Sequence, residues 1–246
     1  MAPLLWLRAV GLKRCSSRSS WLILLLLSLL AFPAVGASHK NFLKTYKGTP
    51  YQDGRYHEGA QKIPGRVECA YYDRGGEGVA YHDSDSKNSG SGGLNPADGS
   101  YLNEFRMNEA VDTSYTKFHD EIDNSAYNVV QPAESQQYVG WTEPGEWFNL
   151  TVQVNRAGVY AADLLYTSNR GGTIALDVNG KSASQALEIR STFDAADPVE
   201  WRQWHHWNLA RDLLRMRLRA GINVITVHIL TQGNMNLAYF DFHAAE

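Results

Sequence analysis

The sequence predicts an all-β fold, an antiparallel β-sandwich of the jelly-roll type, and two observations lead to this prediction. Short runs in which apolar residues alternate with polar ones recur from residue 63 onward, and Gly, Pro and Asn separate them. No segment keeps a helical repeat for more than about three turns. Short strands spaced about 8–12 residues apart are typical of sandwiches and jelly rolls.

The first 37 residues have the pattern of an export signal and are set apart from the predicted fold. A basic start precedes a leucine-rich run over residues 21–32, and Val35-Gly36-Ala37 supplies the small residues that a signal peptidase accepts. The apolar run is shorter than the about 20 residues of a membrane span, although a retained signal anchor is the alternative. We therefore expect a secreted protein, periplasmic or extracellular, without membrane contact once the signal is removed.

The charge of the mature chain excludes one class of partner. Loss of the signal removes 4 of the 23 Lys and Arg residues, which leaves 19 against 26 acidic residues and a net charge near −7. No basic stripe is present, so we expect no nucleic-acid partner. Cys69 is the only cysteine left, and we expect its thiol to be buried. The 209 remaining residues (246 minus 37) suffice for one domain, which we expect to be a monomer.

The predicted elements begin after a polar lead-in over residues 38–62, within a domain that spans residues 63–246. Arg66–Tyr72 is the first of the short strands. The segment Ser84–Gln137, called the insertion below, starts with a stretch rich in Gly, Ser, Asn and Asp. Few strands can be placed in it, so we predict a long loop on one rim that could wall or cap a site there.

The middle of the chain carries the clearest strand signals. Trp147–Val154 alternates apolar residues on one face, and Tyr160–Tyr166 does the same after the turn at Ala157-Gly158. Thr173–Val178 follows and ends at Asn179-Gly180, a dipeptide that favours a tight hairpin turn.

The last elements include one ambiguous segment. Leu209–Leu218 contains helix-forming leucines, but from Leu214 every second residue is apolar and arginines occupy the positions between. We favour a strand from Leu214 that ends at Ala220-Gly221. Asn223–Leu230 and Leu237–Phe242 complete the predicted set.

The sequence carries no motif that predicts a metal or nucleotide site. His205 and His206 are adjacent, and neighbours in a strand point to opposite faces, so the two cannot easily share one ion. The run Tyr81-His82-Asp83 offers two ligands without an obvious third. Serine-nucleophile, metalloprotease and phosphate-loop motifs are missing as well. Hydrogen-bonded or solvated imidazoles are the simpler interpretation, and we expect no cofactor.

Two glutamates support a catalytic alternative. Glu143 and Glu146 bracket a Pro-Gly turn, and a glycosidase needs two carboxylates held about 5–9 Å apart across a cleft. A small jelly-roll glycoside hydrolase or lyase that uses Glu143 with Glu146 or Asp83 is therefore the rival interpretation. No feature of the sequence indicates that either glutamate is buried and has the raised pKa of a general acid. We therefore expect the protein not to be an enzyme.

Five tryptophans in two clusters give the strongest functional signal. Trp141 and Trp147 flank the turn Thr142–Glu146, while Trp201, Trp204 and Trp207 follow one another at three-residue spacing. Indole rings are costly to leave in water, so tryptophans beside Pro, Gly and Glu in turn sequence indicate a binding surface. In a secreted protein the apolar face of a sugar ring is the expected partner.

Strand alternation divides these tryptophans into core and rim. Trp147 and Trp204 lie within apolar alternation and are predicted to be buried. Trp141 and Trp201 each stand at the loop edge of a strand, where two rings could hold a sugar between them. Asn236, at the start of the last strand, offers an amide that both donates and accepts hydrogen bonds to hydroxyls.

From residue 63 onward, ordered blocks of the chain resemble a family 6 carbohydrate-binding module. The blocks are Ile63-Pro64-Gly65-Arg66-Val67-Glu68, the run from Tyr72 to Asp83, Val139-Gly140-Trp141 through Trp147, Gly171-Gly172-Thr173, Ala220-Gly221, Trp201-Arg202-Gln203-Trp204, and the run from Asn236 to Phe242. They span nearly the whole mature chain. The resemblance implies a β-sandwich that binds polysaccharide without cleaving it.

The resemblance also implies where a sugar would bind. The family's rim site corresponds to Trp141, Trp201 and Asn236, the three residues already reached from the pattern of the chain. Glu143 and the loop Tyr81–Asp83 are weaker candidates for hydrogen bonds at this rim.

Two departures from the family concern its structural calcium. The family's opening strand and last strand usually supply carboxylates to the ion, whereas this chain keeps Glu68 but has Ala70 and Ala238 at the other two positions. The loss of two hard oxygen ligands leaves too little charge for ordinary calcium affinity. We therefore expect the family calcium site to be lost.

The expected function is non-catalytic binding of a polysaccharide or oligosaccharide. Xylan, β-glucan, agarose-type galactan and other glycans are all compatible with two rings and one amide, and the sequence does not choose among them. An enzyme is the first alternative, and a structural or adhesion module that has kept the fold without the sugar is the second.

Overall fold

The computed structural model describes residues 42–245. The predicted export signal, residues 1–37, and the first four residues of the lead-in lie outside the described part. Among residues 42–245, no helix is long and apolar enough to cross a membrane. The described chain is almost entirely strand, turn and loop, and it forms two β-sheets as the sequence predicts.

The strands of the described part are numbered in chain order. They are β1 (Gln61–Ile63), β2 (Gly65–Glu68), β3 (Tyr81–His82), β4 (Thr113–Tyr115), β5 (Gln137–Val139), β6 (Trp147–Val154), β7 (Gly158–Ser168), β8 (Gly172–Val178), β9 (Lys181–Ser182), β10 (Leu187–Ile189), β11 (Asn208–Leu218), β12 (Gly221–Thr231) and β13 (Met235–Ala244). Short 3-10 turns cover Cys69–Tyr71, His119–Glu121 and Glu200–Arg202.

Two sheets build the sandwich. The first has the order β1-β6-β12-β8-β10, with β3 added beside β6 and β9 beside β8. The second has the order β11-β7-β13-β5-β4, with β2 added beside β13. Every strand pair is antiparallel except β1 with β6, which is parallel. The predicted class, an all-β antiparallel sandwich, is confirmed.

The apolar faces of both sheets form one core. Leu150 and Val152 of β6 are buried from one side, and Leu164 of β7 and Phe240 of β13 are buried from the other. The alternation that predicted these strands places every second residue in this core, because successive side chains of a strand point to opposite faces. Burial of these side chains is the main stabilising contribution to the fold.

The predicted hairpin after β8 is present. Asn179 and Gly180 have φ angles of 53° and 71° and connect β8 to β9. Two successive positive φ values define the tight turn that Asn-Gly favours.

Most strands extend one or two residues beyond their predicted bounds, and two differ more. The predicted strand Arg66–Tyr72 ends early, because β2 stops at Glu68 and the chain continues as a 3-10 turn that buries Cys69 and Ala70. In the other case β11 starts at Asn208, before the predicted Leu214. A bulge between Ala210 and Leu214 interrupts its pairing with β7 and breaks the alternation there.

The insertion adds little to the sheets. Apart from the 3-10 turn His119–Glu121, its regular structure is the three-residue strand β4 and the first residue of β5. The buried Asn88 fixes its start, because Oδ1 accepts hydrogen bonds from the backbone N–H groups of Gly90, Ser91 and Thr113. An asparagine that bonds to nearby backbone in this way stabilises a compact loop without strands.

Candidate functional site

A cavity of about 660 Å³ lies at one end of the sandwich. It is called the aromatic cavity below. Its walls come from the insertion, from the segment after β5, from the tryptophan-rich segment before β11 and from the start of β13. The lining residues are Leu94, Asn95, Pro96, Asn103, Tyr115, Lys117, His119, Ile122, Asp123, Tyr138, Trp141, Trp201, Trp204, His205 and Asn236.

Residues 194–207, called the strap below, present Trp201 and Trp204 to this cavity. The Trp201 side chain is 56% exposed, and Trp204 is partly buried. Both rings line the cavity because the strap forms a 3-10 turn at Glu200–Arg202, where residues three apart lie on the same side.

A buried ion pair holds the strap in shape. Arg202 donates hydrogen bonds from Nε and Nη2 to the carboxylate of Asp197 at 2.7 and 3.0 Å. These contacts hold the pKa of Asp197 well below its usual range. Arg202 also donates from Nη1 to the carbonyl of Glu121 at 2.8 Å, which ties the strap to the insertion. The exposed ring of Trp201 therefore stands on a rigid support.

Trp141 follows β5 and has a left-handed backbone conformation, with φ of 47°. This conformation is uncommon for a bulky residue and costs on the order of 1–3 kcal/mol. The partly buried ring packs against a small apolar cluster that contains Tyr138 and Trp207. The same ring also borders a second cavity, described below. Its strained backbone therefore places one indole between two cavities.

A chain of hydrogen bonds forms the floor of the aromatic cavity. Asn236 donates from Nδ2 to Thr167 Oγ1 at 2.8 Å and to His205 Nδ1 at 3.1 Å. Because His205 accepts at Nδ1, its remaining proton is on Nε2, which donates to Asp123 Oδ1 at 2.7 Å. Trp207 Nε1 donates to the same oxygen at 2.8 Å.

The amide oxygen of Asn236 accepts no hydrogen bond from the described residues. The residue is nevertheless only 2% exposed, and it lines the cavity. Gly140 makes room for it, since a Cβ atom at that position would lie 2.7 Å from this oxygen. Glycine after Val139 is therefore a steric requirement of the site.

The structure brings three of the six predicted site residues together. Trp141, Trp201 and Asn236 line the aromatic cavity. Glu143 instead lines the second cavity of about 600 Å³. This cavity is called the acidic cavity, because Asp85 and Asp112 line it with Glu143.

Tyr81 and Asp83 are placed differently from the prediction. Tyr81 is buried in the core, because β3 pairs it with Phe148 and the two side chains share the inner face of the sheet. The prediction that Tyr81 contributes a hydrogen bond at the rim is therefore wrong. Asp83 lines neither cavity, and burial raises its pKa to about 7, with repulsion from Glu146 as the next cause.

The two glutamates of the catalytic alternative face each other across a serine. Ser84 Oγ lies 2.9 Å from Glu143 Oε2 and 2.7 Å from Glu146 Oε1. The backbone N–H of Glu143 donates to Glu146 Oε2 at 2.7 Å. The turn thus folds the two carboxylates toward its own backbone and Ser84.

The prediction that Trp147 and Trp204 are core residues is wrong. Trp204 lines the aromatic cavity, and the fully buried indole of the strap is Trp207, at 0% exposure. Trp147 is partly exposed and borders a third cavity of about 460 Å³ beside Tyr46.

The residues that correspond to the calcium site of family 6 modules do not fit a hard cation. The Glu68 carboxylate accepts a hydrogen bond from Gln136 Nε2 at 2.7 Å. Ala70 is fully buried in an apolar cluster with Tyr51, and Ala238 is fully buried in the cluster that contains Trp207. Apolar packing occupies the places where further oxygen ligands would be needed.

The fold and the cavity define a β-sandwich with an aromatic pocket built on its end loops. No protein-family model matches the chain, and no curated protein matches it.

Three solved structures illustrate the similarity in fold. The module CsCBM6-3 from Clostridium stercorarium, in complex with cellobiose, is 9% identical with a TM-score of 0.44, over 77% of this chain and 100% of that one. A family 35 carbohydrate-binding module from Clostridium thermocellum is 21% identical with a TM-score of 0.37, over 48% of this chain and 84% of that one. A family 43 arabinoxylan arabinofuranohydrolase from Bacillus subtilis, in complex with cellotetraose, is 14% identical with a TM-score of 0.44, over 76% of this chain and 28% of that one.

Family 6 carbohydrate-binding modules, the family that the sequence resembles, are thus among the similar structures, together with family 35 modules. All the identities quoted are below 25% and all the TM-scores below 0.5, so these similarities carry no argument about function.

Proposed function

We propose that this protein binds a polysaccharide or oligosaccharide without cleaving it, and that the aromatic cavity is the binding site. One observation carries the proposal. Trp141, Trp201 and Trp204 line the same cavity as Asn236, whose amide oxygen accepts no hydrogen bond from the described residues. A secreted or periplasmic location and a monomeric state belong to the same proposal, as does the independence from a metal cofactor.

The chemistry of these groups matches that of a sugar. Indole faces bind the apolar C–H face of a pyranose ring, and one edge of each indole stays hydrated. A sugar hydroxyl can donate to Asn236 Oδ1, which has two lone pairs and no partner from residues 42–245. A mostly apolar pocket with a few fixed polar groups is the usual form of a small-ligand site.

The catalytic alternative has less support from the geometry. Glycoside hydrolysis needs two carboxylates on opposite sides of the scissile bond. Glu143 and Glu146 instead share Ser84 as a partner, and Glu143 is exposed. Asp83 has the raised pKa of a general acid but lines neither cavity next to Trp141. We therefore favour binding over catalysis.

A glycan array with the mature chain, followed by calorimetry on the best ligands, tests the proposal. Xylan and β-glucan oligosaccharides are the first ligands to include. Trp201→Ala should weaken binding, while Phe193→Ala, which removes another exposed ring outside the aromatic cavity, should leave it unchanged. Failure to bind any glycan, or equal binding by both variants, would reject the site. Release of reducing ends that Glu143→Gln abolishes would favour the enzyme.

A further inference from the structure

Lys117 brings a positive charge into the aromatic cavity. Its Nζ donates a hydrogen bond to Asn95 Oδ1 at 2.6 Å and lies 4.6 Å from the ring centroid of Tyr115. The side chain is partly buried, and burial lowers the pKa of its ammonium group. Lysine, asparagine and tyrosine all line the cavity.

The ammonium group keeps hydrogen-bonding capacity for a ligand. It has three N–H donors, and Asn95 Oδ1 is the one acceptor that the described residues supply. Within residues 42–245, no carboxylate lies within 4.0 Å of Lys117 Nζ. A partly desolvated cation with free donors gains more from an anion than an exposed lysine does.

Asp123 is the carboxylate whose charge acts on Lys117, but its oxygens are already bonded. Oδ1 accepts from His205 Nε2 and Trp207 Nε1, and Oδ2 accepts from the backbone N–H of Lys117 at 2.7 Å. The carboxylate is also only 1% exposed. Burial lowers the pKa of Lys117, and the charge of Asp123 partly opposes this effect without occupying the free donors of the ammonium group.

The two cavities beside Trp141 differ in charge. The acidic cavity contains Asp85, Asp112 and Glu143, and Arg170 is its one basic lining residue. Burial raises the pKa of Asp112 to about 6, so its carboxyl gains charge as the pH approaches neutrality. An anionic group on a ligand is therefore favoured on the Lys117 side of Trp141 and disfavoured on the other side.

We propose that Lys117 selects a sugar that carries an anionic substituent, either the carboxylate of a uronic acid or a sulfate ester. This inference rests on the proposed function, because it assumes that the aromatic cavity holds the sugar ring. Trp141, Trp201 and Trp204 contact the apolar face, and Lys117 pairs with the anion at its edge. Asn95 and Tyr115 hold the ammonium group in place before the ligand arrives, which reduces the entropy lost on binding.

Calorimetry with three oligosaccharides of equal length tests this selection. The ligands are an unsubstituted xylo-oligosaccharide, the same backbone with a glucuronic acid branch, and a sulfated galactan fragment whose unsulfated form is measured beside it. The wild-type mature chain should bind at least one acidic ligand about tenfold more tightly than its neutral counterpart. This preference should shrink as the salt concentration rises from about 20 to 200 mM.

Matched variants assign the preference to Lys117. Lys117→Met keeps the length of the side chain and should abolish the preference, so that the acidic and the neutral ligand bind with equal affinity. Lys117→Arg keeps the charge and should retain part of the preference. Lys87→Met, which removes an exposed lysine outside the aromatic cavity, is the control and should behave as wild type. Melting curves verify that each variant is folded.

The outcomes separate the two proposals. Binding of the neutral oligosaccharide that depends on Trp201, with no preference for either acidic ligand, would overturn the selection by Lys117 and leave the binding function intact. An anion preference that survives in Lys117→Met would also overturn it. Absence of binding to every oligosaccharide would overturn both. A preference for only the uronate or only the sulfate identifies which anion the cavity accepts.

Discussion

Asn236 and His205 share a hydrogen bond of 3.1 Å that joins the last strand to the strap. Nδ2 of Asn236 thus orients His205, whereas Oδ1 accepts no hydrogen bond from the described residues, and the residue lines the aromatic cavity. His205 is itself surrounded by aromatic rings and lies 5.4 Å from the ring centroid of Trp204. A change at Asn236 is therefore expected to affect both the strap and the ligand.

Asn236→Ala should reduce both stability and binding. The substitution removes the hydrogen bonds to Thr167 and His205 and leaves buried groups unpaired, which costs about 1–3 kcal/mol in the free energy of unfolding. Thr167→Val is the matched comparison, because it removes one of these bonds but keeps the amide in the cavity. It should lower stability with a smaller effect on affinity. Denaturant titrations and calorimetry measure the two quantities, and equal affinity losses would contradict a direct contact by Asn236.

Trp201→Ala and Trp141→Ala should differ in their effect on the fold. Each removes an aromatic anchor and should weaken sugar binding by about 1–3 kcal/mol. Trp201 is exposed, so its loss should leave the melting temperature nearly unchanged. Trp141 packs against Tyr138, so its loss should lower the melting temperature as well. If Trp141→Ala binds and melts as wild type does, the ring has no part in the cavity.

Trp207→Ala should destabilise the domain far more than Trp204→Ala. Removal of the fully buried Trp207 creates a cavity and takes away one of the hydrogen-bond donors to Asp123, at a cost of about 3–5 kcal/mol. Trp204 is partly exposed, so its removal should mainly weaken sugar binding. Urea unfolding of both variants distinguishes the two roles. A larger stability loss for Trp204→Ala would restore the original prediction that this ring is part of the core.

The stability of the domain should fall as the pH rises from about 4.5 to 7, and Glu68 should contribute to the decline. Burial raises its pKa from 4.5 to about 7, against the effect of the Gln136 hydrogen bond. In this window the folded state holds a proton that the unfolded state has lost, so each increase in pH favours unfolding. Below the window both states are protonated, and above it both are charged.

Glu68→Gln isolates this contribution. The variant should match wild type near pH 4 and become more stable than wild type above pH 7, because the buried charge is absent. Glu188→Gln alters an exposed carboxylate and should follow the wild-type curve at every pH. Urea unfolding at several pH values provides the comparison. A Glu68→Gln curve parallel to that of wild type would show that Glu68 keeps an ordinary pKa.

Calcium should not change the melting temperature of the domain. A bound ion would stabilise the native state by about 2.7 kcal/mol at a hundredfold excess over its dissociation constant. Scans in millimolar Ca²⁺ and in EGTA should coincide. The double variant Ala70→Glu, Ala238→Asp should melt at a lower temperature in EGTA, because both new carboxylates enter apolar clusters, and it should regain stability with Ca²⁺. A calcium-dependent shift in the unaltered protein would contradict the expected loss of the site.

Strand alternation and turn dipeptides were enough to predict most of the sandwich. The bounds of β6 match the prediction at Trp147 and Val154, and the Asn179-Gly180 turn lies where expected. These features are local, so their signals lie within a few adjacent residues. The burial of Tyr81 could not be predicted in the same way, because it depends on which residue of β6 pairs with Tyr81.

Other parts of the site depend on contacts distant in the chain. His205 meets Asp123 across 82 positions, and no local pattern announces that pairing. The sequence shows the three-residue spacing of Trp201 and Trp204, but the direction of the two side chains depends on whether the segment is a strand or a 3-10 turn. The structure has a 3-10 turn there. Under strand alternation Trp204 was assigned to the core, whereas the turn places it beside Trp201.

The insertion supplies more than half of the residues that line the aromatic cavity, yet it adds only β4 and one end of β5 to the sheets. Variation in residues 94–122 would therefore leave the long pairings of β12 with β6 and β8, and of β7 with β11, unchanged. The two sheets thus form the stable part of the domain, and residues 94–122 form a wall of the aromatic cavity that can vary without changing the long pairings of the sheets. Libraries confined to that wall would change the shape of the aromatic cavity while these pairings stay the same.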